Sequence, residues 1–342
     1  MKAPIVRPAS PRGRKFASIL PWRYILIRIL QMLPTLVGIS IISFIIIQIA
    51  PLDFTAQYRL NPQFSEETLQ QLIRRYGLNK PLSVQYFRWL WNALHLDFGE
   101  SVQHIGMKVF PLIATRVMVT LRLSLLAMVF TWLISVPLGI YCAMRQYSFG
   151  DKVFSVVAFI GMSLPTFFVA FLLLMLASSV GWLPPGGLIS PHYDELSFWG
   201  RILDYLWHMS LPAAVMILSS VASLMRIMRG NVLEVKRAQY ITTARAKGLS
   251  GRKVIFKHIL RNAINPMVTI FGYQLSALLS GVALTEAVLA YPGLGRLMLE
   301  AVLSQDMYLV MGGLIMSSVL LLVGNLIADI LLAIVDPRIK VG

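Results

Sequence analysis

The segment RAKGLSGRKV, residues 245–254, combines two glycines with basic side chains, a composition found in phosphate-binding loops. A P-loop requires the spacing G-x-x-x-x-G-K-[ST], because backbone N–H groups and the lysine cradle the phosphates while the hydroxyl holds Mg²⁺. Gly248 and Gly251 are too close together for this loop, and no Ser or Thr follows the lysines at 247 and 253. The sequence therefore predicts that this chain does not bind ATP through a P-loop.

Other catalytic patterns are also missing from the sequence. The triplet Asp97-Phe98-Gly99 matches one kinase motif, but the remaining kinase motifs and any G-x-S-x-G nucleophile turn are absent. The five histidines lack the H-x-x-x-H and H-E-x-x-H spacings of helical metal sites. Cys142 is the single cysteine, which excludes an internal disulfide and a cysteine-cluster metal site. We expect a non-catalytic chain with no cofactor or metal of its own.

The composition indicates an integral membrane protein. Of the 342 residues, 57% are hydrophobic and only 13% are charged, and the mean hydropathy is +0.70. A helix needs about 20 apolar residues to cross a hydrocarbon layer of about 30 Å. Six runs meet this length, and they predict an all-α polytopic protein with six transmembrane helices. The predicted spans are Ile25–Ile49, Leu121–Ala143, Val153–Ser179, Leu211–Met228, Ile264–Leu289 and Leu309–Val335.

The distribution of basic residues predicts the orientation, because cytoplasmic flanks of membrane spans carry the excess of Lys and Arg. With the N-terminus inside, the inner segments hold 21 of the 31 basic residues. This asymmetry accounts for the net charge of +16 without a nucleic-acid partner. Residues 1–22 form a predicted basic, disordered cytoplasmic tail, and residues 23–342 form the predicted transmembrane domain.

The segment 51–119 is predicted to be an extracytoplasmic insertion with two helices. Ser65 and Gly77 are the N-cap and C-cap residues expected of a first short helix. A second is predicted from Pro81 through Leu94. Two positions remain open for its stripe of apolar residues: the membrane interface, where Trp and Tyr are enriched, or the outer loop of residues 181–208. The stripe comprises Tyr86, Trp89, Leu90 and Ala93.

The segment 230–263 is predicted to be a cytoplasmic loop with two short helices. The first spans residues 240–247 and ends at Gly248, a typical C-cap residue that is expected to adopt a left-handed conformation. The second begins near Ser250 or Gly251 and alternates an apolar side with a basic side. Such a pair could anchor on anionic lipid, where each basic residue contributes about 1 kcal/mol, or could dock a soluble partner. The two sides are Ile255, Ile259 and Ala263, and Lys253, Lys257 and Arg261.

The same segment, YITTARAKGLSGRKVIFKHILRNAINP, resembles the cytoplasmic EAA loop of ABC importer permeases of the dipeptide/oligopeptide/nickel family. Further stretches agree with the B-type permeases of this family: YILIRILQMLPTLVGIS at 24–40, FGES at 98–101, YPGLGRLMLEAV at 291–302, QDMYLVMG at 305–312 and DPRI at 336–339. The residues of the predicted ATPase-coupling loop are Tyr240, Thr243, Ala244, Arg245, Ala246, Lys247, Gly248, His258, Arg261, Asn262 and Pro266.

The resemblance implies a set of partners in a bacterial inner membrane. They are a second permease subunit forming a heterodimer, two cytoplasmic ATP-binding subunits that hold ATP and Mg²⁺, and an extracytoplasmic substrate-binding protein, with membrane lipid around the spans. Both termini would be cytoplasmic. Peptides are the first choice of substrate, with nickel chelates, glutathione or oligosaccharides as alternatives. A passive channel and a membrane enzyme are the rival classes.

Polar residues near or within the fifth and sixth spans are candidates for the translocation path. Gln274 is equally suited to helix packing and to substrate contact. Asp329 is an intramembrane acid that could instead pair with a basic residue near the cytoplasmic face. Two glycines after a proline predict a tight turn at 291–295 that helps to close an outer gate. The gate residues are Glu286, Pro292, Gly293, Gly295 and Arg296.

The charge asymmetry makes a prediction about topology. In a chain whose Cys142 is replaced, a single cysteine at position 195 should react with an impermeant thiol reagent from outside the cell. A cysteine at position 236 should react only after the membrane is opened. The reverse labelling pattern would contradict the orientation and, with it, a cytoplasmic position for the loop 230–263.

Overall fold

The chain forms a bundle of helices. The computed structural model describes residues 22–49, 67, 70, 71, 73, 74, 79–101, 103, 104, 106–181, 183, 184, 186–279 and 283–335. No strand occurs within these residues, although Glu100 and Lys108 form an isolated antiparallel bridge. The sequence prediction of an all-α membrane protein is confirmed. Of the helix predicted at Ser65–Gly77, the structure describes residues 67, 70, 71, 73 and 74, and all five are helical. Residues 1–21 of the predicted tail lie outside the described residues.

Eleven helices are labelled here in chain order. Short helical segments at Tyr193–Glu195, Gly251–Lys253, Val254–Leu260, Arg261–Ala263 and Ala277–Leu279 join some of them. The labelled helices are α1 (Trp22–Ile49), α2 (Leu82–Leu94), α3 (Val109–Met144), α4 (Phe149–Ser163), α5 (Thr166–Val180), α6 (Phe198–Lys236), α7 (Gln239–Ala246), α8 (Asn265–Ser276), α9 (Ala283–Val288), α10 (Leu294–Leu303) and α11 (Met307–Val335).

Four described helices are long and apolar enough to cross a membrane, namely α1, α3, α6 and α11. The pair α4 and α5 makes a fifth span if it is counted as one bent helix. The break falls at Leu164 and Pro165, where the direction changes by 106°. Pro165 lacks an N–H and disfavours helical geometry at the residue before it. Pro165 therefore accounts for the break between α4 and α5, whereas Pro34 and Pro137 lie inside continuous helices.

The predicted fifth span, Ile264–Leu289, is interrupted in the structure. Helix α8 ends at Ser276, a 3₁₀ turn follows at Ala277–Leu279, and α9 is a separate short helix. Residues 280–282 lie outside the described part of the chain. A count of six spans therefore stays a prediction. Helix α3 begins at Val109, within the segment 51–119 that the sequence predicts to be the outer insertion.

Helices α1 and α11 run antiparallel and are tied at two levels. Arg28 pairs with Asp329 at 3.1 Å, and the Gln48 amide donates to the Met307 sulfur at 4.0 Å. Arg28 and Gln48 are twenty residues apart, which corresponds to about 30 Å of helix. This separation matches the thickness of a hydrocarbon layer. Asp329 thus has the basic partner that the sequence suggested.

The long helices α3 and α6 pack closely along most of their length. A Cβ at Gly139 would lie 2.7 Å from the Met225 carbonyl oxygen, so this contact requires a glycine. Toward one end the pair carries α7 and the segment to Ala263, and we call this the loop end. Toward the other it contacts the turn Tyr291–Gly295, and we call this the turn end. Buried apolar clusters lie at both ends.

Helix α2 packs differently from either sequence alternative. Its predicted stripe faces α1 and α11, with Trp89 buried beside Phe44 and Met307. The Tyr86 and Ser40 hydroxyls lie 2.8 Å apart in a hydrogen bond. The loop 181–208 is therefore not the partner of this stripe. The spacing of apolar residues predicts that this stripe is buried, but it does not identify the apolar surface against which the stripe packs.

Candidate functional site

Helix α7 packs against the rest of the protein through a narrow stripe of buried side chains. Ile241 and Ala244 are its two buried residues, and they pack in a cluster with Met228 and Val254. Because Ala244 is only 7% exposed, its side chain faces this chain rather than a partner, which corrects its proposed role as a contact. The other six side chains of α7 are exposed, and so is Lys247, which follows the helix; the six are Gln239, Tyr240, Thr242, Thr243, Arg245 and Ala246.

Gly248 ends α7 in the left-handed conformation that the sequence predicted. Its φ is +75°. Its N–H donates to the Arg245 carbonyl at 2.9 Å, and the Leu249 N–H donates to the Ala244 carbonyl at 3.4 Å. These two bonds form a Schellman motif, which satisfies carbonyls that a helix end otherwise leaves open. A Cβ at Gly248 would meet no atom within 4 Å, so the position faces open space.

The second helical segment of the loop begins at Gly251, within the predicted range, and includes a π-helix at Val254–Leu260. Its buried residues are Val254, Ile259 and Ala263. Ile255 is only partly buried, because the wider π turns move the inward face from the positions that α-helical spacing predicts. The basic residues Lys253, Lys257 and Arg261 are exposed, as predicted, and so are Asn262 and Pro266, while His258 is partly buried.

Polar bonds hold the loop end to the helices beneath it. Arg229 in α6 forms a bidentate ion pair with Asp151 in α4, at 2.7 and 2.9 Å. Lys236 donates to the Ala143 carbonyl at 3.3 Å. Since Asp151 is almost fully buried, a paired guanidinium is what makes its charge acceptable there. These bonds therefore hold together the ends of α3, α4 and α6 on which the loop packs.

At the turn end, one buried carboxyl group joins three helices. Glu286 in α9 is 1% exposed. Its Oε1 accepts a hydrogen bond from the Thr120 hydroxyl at 2.8 Å, and its Oε2 accepts one from the Arg296 backbone N–H at 3.0 Å. The Leu294 N–H donates to the same Thr120 hydroxyl at 2.8 Å. Helices α3, α9 and α10 thus share one hydrogen-bonded centre, as buried polar groups require.

The two glycines of the turn allow this close approach. A Cβ at Gly293 would overlap the Glu286 carboxyl group, and one at Gly295 would lie 2.8 Å from the Ala283 Cα atom. The structure therefore brings Glu286, Gly293 and Gly295 together, although Glu286 precedes the turn in sequence.

The other two predicted gate residues also bond at the turn. Arg116 in α3 donates to the Pro292 carbonyl at 3.0 Å. The Arg296 side chain pairs with Glu300, one helical turn further along α10, at 2.7 Å. Arg116 and Thr120 were missed by the sequence reasoning, because each is one polar residue among the apolar residues of α3.

Gln274, the candidate path residue, has a partner within the chain. Its Oε1 accepts a hydrogen bond from the Trp132 indole N–H at 2.6 Å. The Trp132 ring also contacts Phe271 edge-on. The amide therefore joins α8 to α3, which favours its packing role. Within the described residues, no group of three or more His, Cys, Asp or Glu side chains could hold a metal ion.

A third buried acid, Asp306, was not identified from the sequence. Its Oδ2 accepts hydrogen bonds from the Ser101 hydroxyl at 2.5 Å and from the Gln103 N–H at 3.1 Å. Its Oδ1 accepts one from the Leu309 N–H at 3.1 Å, which caps the N-terminus of α11. The stretches FGES and QDMYLVMG, noted separately in the sequence, therefore form one contact.

These features define a multi-pass helical membrane protein with an exposed, basic loop at one end and a closed, hydrogen-bonded turn at the other. Residues 135–341 match the family described as binding-protein-dependent transport system inner membrane component, and residues 21–124 match its N-terminal companion family. The chain belongs to this family of inner membrane transport components. The family identified from the sequence is thereby confirmed.

Named relatives are similar over nearly the whole chain. The oligopeptide transport system permease protein AppB of Bacillus subtilis is 41% identical, covering 93% of this chain and 99% of the relative. The di/tripeptide transport system permease protein DppB of Pseudomonas aeruginosa is 34% identical, covering 90% and 96%. The dipeptide transport system permease protein DppB of Escherichia coli is 33% identical, covering 93% and 98%.

The packing at the turn makes a prediction about Gly293. The change Gly293→Leu should displace the Glu286 carboxyl group from its hydrogen bonds, at a cost of about 1–3 kcal/mol for overpacking. Substrate uptake into proteoliposomes should fall, while co-purification with the other subunits should persist. Gly38→Leu is the control, since no atom lies within 4 Å of a Cβ there. Uptake at the wild-type rate in Gly293→Leu would exclude a role for the turn in gating.

Proposed function

We propose that this chain is the permease subunit that forms half of the translocation path of a peptide importer driven by ATP. It would pair with a second permease, receive substrate from an extracytoplasmic binding protein and take energy from two cytoplasmic ATPases that hold ATP and Mg²⁺. The observation that carries this proposal is helix α7, which leaves six of its eight residues exposed. A helix that exposes most of its side chains to the outside of its own chain offers a surface to which a partner protein can bind.

The loop end would face the cytoplasm and the turn end the outside. The basic residues support this orientation, because ten of them lie between residues 226 and 263 and cytoplasmic segments carry such an excess. In this orientation Arg28 and Asp329 lie on the cytoplasmic side, and α2 and the turn lie on the outer side. Both termini would then be cytoplasmic.

An ATPase is a better partner for the loop than a lipid surface alone. A helix that anchors on lipid buries apolar side chains of its exposed face in the interface, in addition to any attraction between its basic residues and anionic lipid. That face instead carries threonines and basic residues, with Tyr240 as its one large apolar side chain. The rigid Schellman end at Gly248 also fixes the direction in which the helix points. A fixed, polar, convex element suits a protein cleft that closes around it as a rigid body.

Peptides are the proposed substrates because the similar permeases from three bacteria are named for oligopeptide, dipeptide or di/tripeptide transport. Nickel chelates, glutathione and oligosaccharides are the alternatives. Uptake assays with a reconstituted importer and its binding protein would distinguish them. Uptake of a chelate or sugar in place of peptides would contradict this choice.

Docking of the loop can be tested at Gly248. The change Gly248→Leu places a side chain in the left-handed region, which costs about 1–2 kcal/mol, and adds bulk to a face that is otherwise open. We expect the variant to insert and to pair with its sister permease. Its affinity for the ATPases should fall about tenfold, equivalent to 1.4 kcal/mol, and hydrolysis should be uncoupled from uptake.

Two controls separate bulk from backbone strain. Gly251→Leu adds the same side chain three residues away, where a Cβ also meets open space and φ is ordinary. Gly248→Asn keeps a residue that tolerates the left-handed region. Both should couple better than Gly248→Leu. Wild-type ATPase affinity and substrate-stimulated hydrolysis in Gly248→Leu would instead indicate that the loop is only a surface anchor.

A further inference from the structure

Two buried tyrosine hydroxyl groups at the turn end have no hydrogen-bond partner. Tyr291, the first residue of the turn, is 1% exposed, and Tyr205 of α6 packs with it in one apolar cluster. Both hydroxyl oxygens are shielded from solvent, and no atom among the described residues forms a hydrogen bond with either of them. A buried hydroxyl in this state has lost its bonds to water without replacing them. Because native proteins satisfy most buried polar groups, the pair indicates a partner that the closed chain does not supply.

The two hydroxyl groups lie close to each other and to a guanidinium group. Burial raises the pKa of the Tyr291 phenol, the Tyr205 hydroxyl raises this pKa further, and the positive charge of Arg122 lowers it. Arg122 belongs to α3, and its Cζ lies 5.8 Å from the centroid of the Tyr205 ring. This distance is within the range of a cation–π interaction. Side chains from α3, α6 and the turn therefore lie together at one place.

Arg122 has no acidic partner within the part of the chain that the structure describes. Its side chain is exposed, and the ion pairs of the described residues do not include it. The acids of the surrounding elements are engaged elsewhere. Glu286 makes the hydrogen bonds of the turn. Asp204 of α6 accepts a hydrogen bond from the Ser190 N–H at 2.9 Å and lies 3.6 Å from the His208 ring.

The position of Arg122 along α3 places its charge at membrane depth. Arg122 follows Val109, the first residue of α3, by thirteen residues, which corresponds to about 20 Å of helix. Val109 already lies beside the span α11, since a Cβ at Gly312 would be 2.8 Å from the Val109 Cγ1. A charged side chain inside a membrane span usually faces a water-filled cavity or another charged group, and it marks a substrate path.

The three groups together match the chemistry of a carboxylate. A guanidinium group binds a carboxylate through two parallel hydrogen bonds with opposite charges. A carboxylate has further lone pairs, which accept hydrogen bonds from the two phenol hydroxyls. An ammonium group would be repelled by Arg122, and a sugar hydroxyl would leave the guanidinium without a counter-charge. The complementary ligand is therefore an organic acid.

The burial of Tyr291 ties this site to the turn. A ligand reaches the Tyr291 hydroxyl only when the turn is displaced from Tyr205. The closed state leaves both hydroxyls without partners, whereas a carboxylate between them in the displaced state supplies acceptors to both. A ligand that binds one state better than another shifts the population toward that state. A bound carboxylate thus favours the displaced turn.

We propose that Arg122, Tyr205 and Tyr291 bind the C-terminal carboxylate of the transported peptide while the turn is displaced. This inference rests on the proposed function as a peptide importer. The guanidinium group pairs with the carboxylate, and the two hydroxyls donate hydrogen bonds to it. The site thereby distinguishes a peptide with a free C-terminus from a peptide whose C-terminus is an amide.

Uptake into proteoliposomes that contain the complete importer and its binding protein tests this site. Trialanine and its C-terminal amide are supplied separately to the wild type, Arg122→Gln and Tyr291→Phe. In both variants we expect trialanine uptake to fall about tenfold, as the loss of a hydrogen bond to a charged group predicts, and amide uptake to stay unchanged. Wild-type uptake of trialanine, or an equal fall for both peptides, would overturn this inference alone. Failure of the wild type to take up trialanine would contradict the proposed function as well.

A neighbouring arginine and tyrosine provide matched controls. The Arg201 Cζ also lies 5.8 Å from the centroid of a tyrosine ring, that of Tyr193, but Arg201 donates hydrogen bonds to two backbone carbonyls. Arg201→Gln and Tyr193→Phe should therefore take up both peptides as the wild type does. A tenfold loss of trialanine uptake in these controls would show that the effect is not specific to the site.

Two further measurements separate substrate binding from a structural role. Tyr291→Phe removes a hydroxyl that has no partner in the closed state, so its Tm should equal or exceed that of the wild type. A lower Tm would show that the hydroxyl holds the fold together. Arg122→Gln should co-purify with the sister permease in wild-type amounts. Loss of the sister permease would show that Arg122 pairs with an acid of that subunit and would contradict the site.

Discussion

The contact between α3 and α6 at Gly139 supports both functional ends of the protein. The backbone of α3 approaches the Met225 carbonyl so closely that no Cβ fits between them. The same α3 carries Thr120 at the turn end and Ala143 at the loop end, and α6 carries Arg229 beneath the loop. Because packed helices move as units rather than bending continuously, a displacement of α7 would pass along this pair to the turn. Such movement is the rigid-body form of alternating access that the proposed function requires.

The two ends are built by different physical means. The loop end attaches α7 through an apolar stripe and a capped C-terminus, and its outward face is left for a partner. The turn end buries its polar groups around Glu286 and leaves little exposed. Burying a carboxyl group without bonds is costly, so the turn must keep Thr120 and the Arg296 N–H in place or move with them. Because breaking these hydrogen bonds is costly, we expect the turn either to stay closed or to move as one unit with Glu286 and Thr120.

Local signals in the sequence were sufficient for the features whose causes are local. Gly248 was predicted to take a left-handed conformation because helix C-caps favour glycine, and the structure has it. The break at Pro165 and the apolar spans also follow from nearby residues. The partner of Asp329 could be anticipated only as a basic residue near the same membrane face. Its identity as Arg28 depends on how α1 packs against α11.

Contacts between distant segments could not be predicted from one sequence. Ser101 and Asp306 are 205 residues apart yet share a hydrogen bond, and no spacing rule connects them. Ala244 matched a motif, but only the fold reveals that its side chain faces inward. Helix α2 has two apolar faces, so its pattern could not determine which face is buried. Each of these outcomes depends on the surface that the rest of the chain presents.

Site-specific photocrosslinking from Tyr240 is the most direct measurement of the central claim that α7 docks into an ATPase. This side chain is 47% exposed, so a photoreactive phenylalanine analogue fits there without disturbing the buried stripe. In membranes that contain the complete importer, we expect a covalent adduct with an ATP-binding subunit, in a yield that changes when ATP is bound. Adducts with lipid alone, in the presence of assembled ATPases, would contradict it.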